Sequence, residues 1–457
     1  MTYFCQLAYD IMTLKEHLRT NLYLAVPVMA SQLGQVMVGV ADNMMVGQVG
    51  YIPLAGASLG NAIFYFFMTF GLGVSFAITP LVGFADGEGN KKECGQVLRH
   101  GLVVNTILGI LLFVLVMVAA NFLHLFGQEE AVVEQATPYM YVIGFSMIPF
   151  LVFQSFRQFS EGLSMTKIPM TVSVSMNVLN IILNYLLIYG KFGFPELGLL
   201  GAGIATLIAR IAMAVVLMIY VLRNHRFKPY LSGLGITNLN FSLIKDLLRI
   251  GLPAGLQFVF EVGAFSMAAL MMGWIGAVTQ AAHQIAINLA SITYMTVSGL
   301  GAAAAIRVGN QLGKKDYVTM RKAALTLVAM GTSLMAIFAV VFILGRDYLP
   351  LLYNDKPEVV QIASSLLIIA ALFQLSDGVQ VISLGALRGM KDVKIPTIIT
   401  FFAYWIVALP LGYILAFKYD YGATGIWFGL FLGLTIAGIW VFIRFNRLAR
   451  QRIRNQS

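Results

Sequence analysis

Residues 249–276 read RIGLPAGLQFVFEVGAFSMAALMMGWIG. The run is apolar and long enough to cross a bilayer, which takes roughly 20 residues of helix, yet Glu261 stands near its middle. A carboxylate at the bilayer centre costs about 2.5 to 3.5 kcal/mol on insertion scales, so such groups are rare and face a partner or a water-filled path. This stretch therefore sets the fold, built from membrane-crossing helices, and marks one residue that needs a functional reason.

Outward from it, the whole chain has the same character. Of its 457 residues 59% are hydrophobic and only 11% charged, with mean hydropathy +0.82. That is more apolar surface than a soluble fold of this length buries. Apolar runs predict twelve spans, at 21–47, 53–84, 100–122, 135–160, 167–189, 200–222, 249–276, 280–309, 323–345, 359–387, 396–417 and 423–443. The expected fold is an all-α integral membrane protein. Pro27, Gly71, Gly73, Pro253, Gly299 and Gly301 are the expected bends, since membrane helices tolerate such residues. The first twenty residues lack an apolar core followed by a small-residue cleavage site, so the first span is expected to act as the insertion signal.

The net charge of +10 is explained by topology. Positively charged loop residues stay cytoplasmic. One side of the alternating segments collects Lys15, Arg19, Lys91, Lys92, Arg99, Arg157, Lys167 and the basic residues from Arg223 to Arg249. In the second half the same side collects Arg307, Lys314, Lys315, Arg321, Lys322, Arg388, Lys391, Lys394 and the five arginines from Arg444 to Arg454. The opposite side has only Lys191, Arg346, Lys356 and Lys418. Both termini are expected in the cytoplasm, and nucleic acid is not an expected partner. The tail RFNRLARQRIRNQS, residues 444–457, reads as a stop signal or as a contact for anionic lipid. Cys5 and Cys94 fall in expected cytoplasmic segments without ligand spacing, which argues against disulfides and cysteine metal sites.

The chain also repeats itself. GLG at 71–73 followed by GFADGEGNKKE resembles GLG at 299–301 followed by GNQLGKKD, MTKIPM around Pro169 resembles KDVKIPT around Pro396, and Pro27 matches Pro253. Six spans per half is an even number, so both halves enter from the same side, as a parallel repeat about a pseudo-two-fold along the membrane normal. The expected domains are an N-terminal lobe at 1–223, a cytoplasmic linker at 224–246 and a C-terminal lobe at 247–457.

Three acids lie inside spans rather than at their ends: Asp42, Glu261 and Asp377. Ionised and unpaired, they would together cost about 8 to 10 kcal/mol. They must be hydrated, paired, ion-bound or protonated, and a proton or Na⁺ is a natural partner. The alternative is structural ion pairing, for which Arg210 is the one candidate buried cation, too few for three acids. Asn180 and Asn184 share a helix face and could hydrogen-bond Asp42 or serve as interhelical glue. His283, Gln284 and Tyr294 could add ligands. Phe265, one turn beyond Glu261, could offer an aromatic face to an organic cation, although an isolated Phe is more often packing.

PVMASQLGQVMVGVADNMMVG around Asp42, NVLNIILNYLLIYGKFGFPELGLLGAG around Asn180 and Asn184, LPAGLQFVFEVGAF around Glu261, AAHQIAIN around Gln284 and QLSDGVQVISLGALRGMKD around Asp377 together resemble the multidrug and toxic compound extrusion (MATE) family, in its NorM-type bacterial branch. The resemblance covers nearly the whole chain. It implies a twelve-helix exporter of two six-helix lobes in a bacterial inner membrane, exchanging cytoplasmic drugs and organic cations for inward Na⁺ or H⁺. By this resemblance Glu261 and Asp377 form the cation site (Na⁺ on the two carboxylates), to which Tyr294 of this chain could add a hydroxyl, and Asp42, Asn180 and Asn184 form a proton-sensitive site in the first lobe. Phe265, Gln284 and Asp42 would contact substrate. Asn43 stands where the family usually has Thr, and Phe373 where some members have Tyr. The missing hydroxyl leaves the choice of coupling ion open.

No cofactor beyond the coupling ion is expected, and the chain is expected to act as a monomer. GxxxxGK[ST], HExxH and GxSxG are missing from the sequence and its five histidines are scattered, which argues against ATP coupling and an intramembrane enzyme. One monovalent ion moving down 100 mV supplies about 2.3 kcal/mol, roughly a fiftyfold gradient. A lipid-linked precursor flippase is the alternative transporter, and it would need several cavity cations.

Overall fold

The computed structural model describes residues 13–235 and 240–456; Cys5 lies outside them. Twelve helices are long and apolar enough to cross a membrane: α1 (Leu14–Val49), α2 (Tyr51–Gly87), α3 (Lys91–Asn121), α4 (Glu130–Gly162), α5 (Lys167–Tyr189), α6 (Gly198–Arg223), α7 (Phe241–Ile275), α8 (Ala277–Gly313), α9 (Tyr317–Gly345), α10 (Pro357–Gly389), α11 (Lys394–Lys418) and α12 (Gly422–Arg454). No strand occurs among the described residues. Every expected span has its helix, and most run several residues farther at the ends, because polar and charged turns continue the hydrogen-bond ladder beyond the apolar run.

The repeat is visible in the backbone. Positive φ recurs at matching places in the two halves: Gly50 with Gly276, Gly89 with Lys315, and Ser164 with Lys391. The caps match too. Asn90 Oδ1 accepts from Glu93 N at 3.2 Å to start α3, and Asp316 Oδ1 accepts from Thr319 N at 3.0 Å to start α9. Each supplies an acceptor for an otherwise orphaned helix N–H. Lys315 and Lys391 hold a conformation that disfavours side chains with a Cβ, so the turn geometry is kept in both halves whether or not glycine stands there.

Packing divides the chain into two units, Ala30–Val262 and the described parts of Met1–Met29 with Gly263–Ser457. The divisions fall inside α1 and α7. In the first unit, the start of α7 packs on α2: a Cβ on Gly73 would lie 2.6 Å from Gly255 Cα, and one on Gly251 2.8 Å from Val74 O. A core around Phe64, Leu112, Val116, Met140, Met147 and Leu151 fills this unit. In the second, the start of α1 packs on α8, where a Cβ on Gly299 would lie 2.8 Å from Met29 N, and the core gathers around Met272, Ala286, Leu366, Tyr404, Trp427 and Leu430. The expected bends at Gly299 and Gly301 are not interruptions. α8 is continuous through both, and its glycines serve close approach instead. The breaks are in α2 after Ser75 and in α4 at Ser146, and π-helical turns run through Phe402–Ala408 and Ile414–Lys418 of α11.

The connection after α6 is anchored rather than loose. Phe227 is fully buried against Phe159 and Tyr220, Tyr230 Oη donates to Asp86 Oδ1 at 3.0 Å, and Arg99 Nη1 donates to Gly235 O at 2.8 Å. Asn240 N donates to His100 Nε2 at 2.9 Å. Cys94 is a buried free thiol in the first turn of α3, not a surface residue.

Candidate functional site

In the unit Ala30–Val262, α1 carries Asp42 about two turns before its end, and α5 presents two amides to it. Asn184 Nδ2 donates a short hydrogen bond to Asp42 Oδ1. With its amide turned to suit the network, Asn180 Nδ2 donates to the same oxygen at 3.1 Å while its carbonyl accepts from Thr206 N of α6 at 3.3 Å. Both asparagines are buried, at 3% and 0% exposure, and Asp42 is half-buried. Two amide donors on one carboxylate oxygen hold it in place. The expected grouping of Asp42, Asn180 and Asn184 is thus present.

Arg210 does not neutralise Asp42 through an ion pair. Its guanidinium lies over Phe64 and Phe150, 4.9 and 5.0 Å from the ring centroids, and Nη1 donates to Ser146 Oγ at 2.7 Å. Cation–π attraction of this kind stabilises a desolvated guanidinium. Nor is Arg210 the one buried cation. Arg157 and Arg307, counted above as cytoplasmic charge, are 3% and 5% exposed inside α4 and α8. Arg157 Nε pairs with Glu161 Oε1 at 2.7 Å, and Glu161 joins Glu261 and Asp377 as an acid buried within a spanning helix. Arg307 Nη1 donates to Asn21 Oδ1 at 2.9 Å, with His17 Nδ1 3.4 Å from Nη2. These charges sit near span ends, where a sequence pattern cannot separate a buried pair from a solvated one.

Glu261 and Asp377 are both buried, at 6% and 7% exposure, well inside α7 and α10. Glu261 belongs to the unit Ala30–Val262 and Asp377 to the other. Around Asp377 the second unit is unusually polar. Gln380 Nε2 and Tyr404 Oη are 3.1 Å apart, Ser376 and Thr435 hydroxyls are 2.9 Å apart, and Tyr404 is delivered by the π-helical segment of α11. Such π-turns recur at functional positions. One turn before Asp377, Gln374 is fully buried with neither amide atom hydrogen-bonded. An orphaned buried amide costs about 1 to 3 kcal/mol. Gln374 was missed in the sequence, although its i, i+3 relation to Asp377 put it on the same face.

The remaining candidates separate. His283 Nδ1 accepts from Trp427 Nε1 at 3.0 Å, which occupies that nitrogen as a structural acceptor. Gln284 is exposed and donates to Asn288 Oδ1 at 3.0 Å. Tyr294 and Phe265 are half-buried, and the Phe265 ring is tilted 55° to Tyr404 at 6.2 Å between centroids. Phe373 stacks on Trp427 at 5.6 Å and 25°, so its ring is packing.

Residues 27–186 and 253–414 each match the MatE family. The chain belongs to the MatE family. The two matches begin at Pro27 and Pro253, the same residues that align the internal repeat, so MatE domains occur here as a tandem pair. Among MatE relatives, the Multidrug resistance protein MdtK of Yersinia pseudotuberculosis serotype O:1b is 37% identical over 442 residues, covering 95% of this chain and 96% of its own. MdtK of Yersinia enterocolitica serotype O:8 is 36% identical over 439 residues, with the same coverage. Among solved structures, the eukaryotic MATE transporter AtDTX14 superposes with a TM-score of 0.86 at 22% identity, covering 97% of this chain and 99% of that one. An outward-facing multidrug resistance MATE family transporter gives 0.87 at 19% identity, covering 95% and 96%. At these identities the structural likeness establishes the MatE fold, twelve helices in two lobes.

Proposed function

We propose that this MatE protein is a secondary multidrug exporter of a bacterial inner membrane, expelling organic and often cationic compounds in exchange for inward Na⁺ or H⁺ by alternating access. The observation that carries the reading is the burial of Glu261 and Asp377 inside spanning helices. Acids inside spans are rare and by default mark an ion or substrate path. The relatives named Multidrug resistance protein MdtK, alignable end to end, support drugs as the cargo.

In this mechanism Glu261 and Asp377 take the coupling cation. Phe373 offers no hydroxyl, so oxygen ligands come from Gln374, one turn before Asp377, and from Tyr294. Asp42 takes and releases a proton, with Asn184 and Asn180 holding its carboxylate. Phe265 offers an aromatic face to a cationic drug. Substrate and ion must oppose one another for exchange to be coupled.

The test is efflux of an organic cation from vesicles holding the purified protein, under an imposed Na⁺ gradient or pH gradient, repeated with Glu261→Gln, Asp377→Asn and Asp42→Asn. Gradient-dependent efflux lost in the variants supports the reading. Wild-type efflux from all three variants under both gradients sinks the acid-coupling scheme, and efflux that needs ATP rather than a gradient sinks the antiporter itself.

A further inference from the structure

We propose that the cytoplasmic end of α12 is a binding site for an anionic phospholipid, with the acyl chains against Trp440 and Ile443 and the phosphate on Arg447, Arg450 and Arg454. α12 spans Gly422–Arg454, 33 residues. At 1.5 Å per residue that is roughly 50 Å, against a hydrocarbon core of about 30 Å. Its last turns therefore leave the apolar layer.

One face of this end is committed to the protein. Val441, Phe445 and Ala449 are each fully buried, Arg444 is engaged by Asp392 at 2.6 and 3.0 Å, and Asn446 Oδ1 accepts from Arg321 at 3.3 Å. The opposite face is an exposed stripe at alternating three- and four-residue steps: Trp440, Ile443, Arg447, Arg450 and Arg454. It runs from apolar to cationic along the helix axis. A shallow, open surface recess runs along Ile443, Arg447, Arg450 and Arg454. Residues 421–457 contain no Asp or Glu, so the charge of this end of the helix is wholly basic.

The grading selects the occupant. A soluble polyanion would meet the arginines but leave Trp440 and Ile443 in water. A zwitterionic lipid would fill the apolar part without using the charge. An anionic phospholipid uses both, with the indole at the interfacial level where Trp is favoured and each arginine contributing electrostatic attraction near an anionic surface. The planar guanidinium also suits bidentate contact with phosphate oxygens.

The experiment measures lipids retained by the purified full-length protein from mixed phosphatidylglycerol and phosphatidylethanolamine micelles, by mass spectrometry of the intact complex. Wild type is expected to retain phosphatidylglycerol preferentially. The preference should fall by about fivefold for each arginine removed in the series Arg447→Gln, Arg450→Gln and Arg454→Gln. Arg452→Gln, which removes the same charge from another side of the helix, should leave it intact. Inorganic phosphate at equal concentration should not displace the lipid. Equal loss in Arg452→Gln, an unchanged preference in the triple variant, or full displacement by inorganic phosphate would each overturn the assignment.

Discussion

Asn184 on α5 donates its amide N–H to the carboxylate of Asp42 on α1, and both residues belong to the same packing unit. The contact joins two helices and at the same time fixes where a negative charge sits inside a membrane span. It accounts for an arrangement in which a titratable acid is oriented but not cancelled, since Arg210 is occupied by Phe64, Phe150 and Ser146.

Removing that donor should disturb function more than folding. For Asn184→Ala we expect pH-gradient-driven efflux to fall about tenfold, because the Asp42 carboxylate loses a donor that fixes its position. Asn184→Asp, which keeps the side-chain size but removes the amide donor, should lose efflux to a similar extent. Vesicle efflux measured per amount of protein distinguishes these from a simple loss of protein.

Gln374 allows a sharper separation of stability from activity. Its amide is fully buried with no hydrogen bond, so Gln374→Met should leave thermal stability unchanged or raise it by about 1 kcal/mol. Na⁺-driven efflux should nonetheless drop, with a raised Na⁺ concentration for half-maximal rate. A destabilised variant with unaltered Na⁺ dependence would show that the amide serves packing alone.

The Arg157–Glu161 pair is a structural element with its own signature. Removing one partner, as in Glu161→Ala, leaves a buried charge unpaired and should cost about 3 to 5 kcal/mol. Replacing both with leucine should recover most of that loss. Detergent-solubilised melting curves of the two single variants and the double variant form the required cycle.

Glycine contacts predict another set of lesions. Gly385 of α10 lies against the backbone of Gly301 of α8, where an added Cβ would overlap the Gly301 carbonyl. Small residues are what allow membrane helices to approach this closely. Gly385→Ala should therefore destabilise by about 1 to 3 kcal/mol, read as a lowered melting temperature, whereas Ala at Gly89, which has open space but positive φ, should act only through backbone strain and less severely.

Much of this was legible in the sequence, for identifiable reasons. Spans announce themselves by apolar length, and the repeat by recurrent Gly and Pro at one offset, which is why Pro27 and Pro253 also open the two family matches. The Asp42–Asn184 contact could be anticipated because an i, i+4 amide pair must face one way. Arg210 reads as the one buried cation because charge at a span end, as at Arg157 and Arg307, looks the same in sequence whether it meets water or a partner. Gly299 and Gly301 looked like hinges, since a sequence shows that glycine permits bending but not that a neighbouring helix needs the room.

The divisions inside α1 and α7 bear on how such a protein can be taken apart. A gene cut in the 224–246 connection would yield two polypeptides of equal helix number, each missing a stretch that its own packing unit requires: the N-terminal fragment would lack the start of α7 that seats on Gly73, and the C-terminal fragment the start of α1 that seats on Gly299. Expressed singly, neither fragment should accumulate as folded protein; produced together in one cell, they should reassemble and restore efflux, each carrying the piece that completes the other's packing unit.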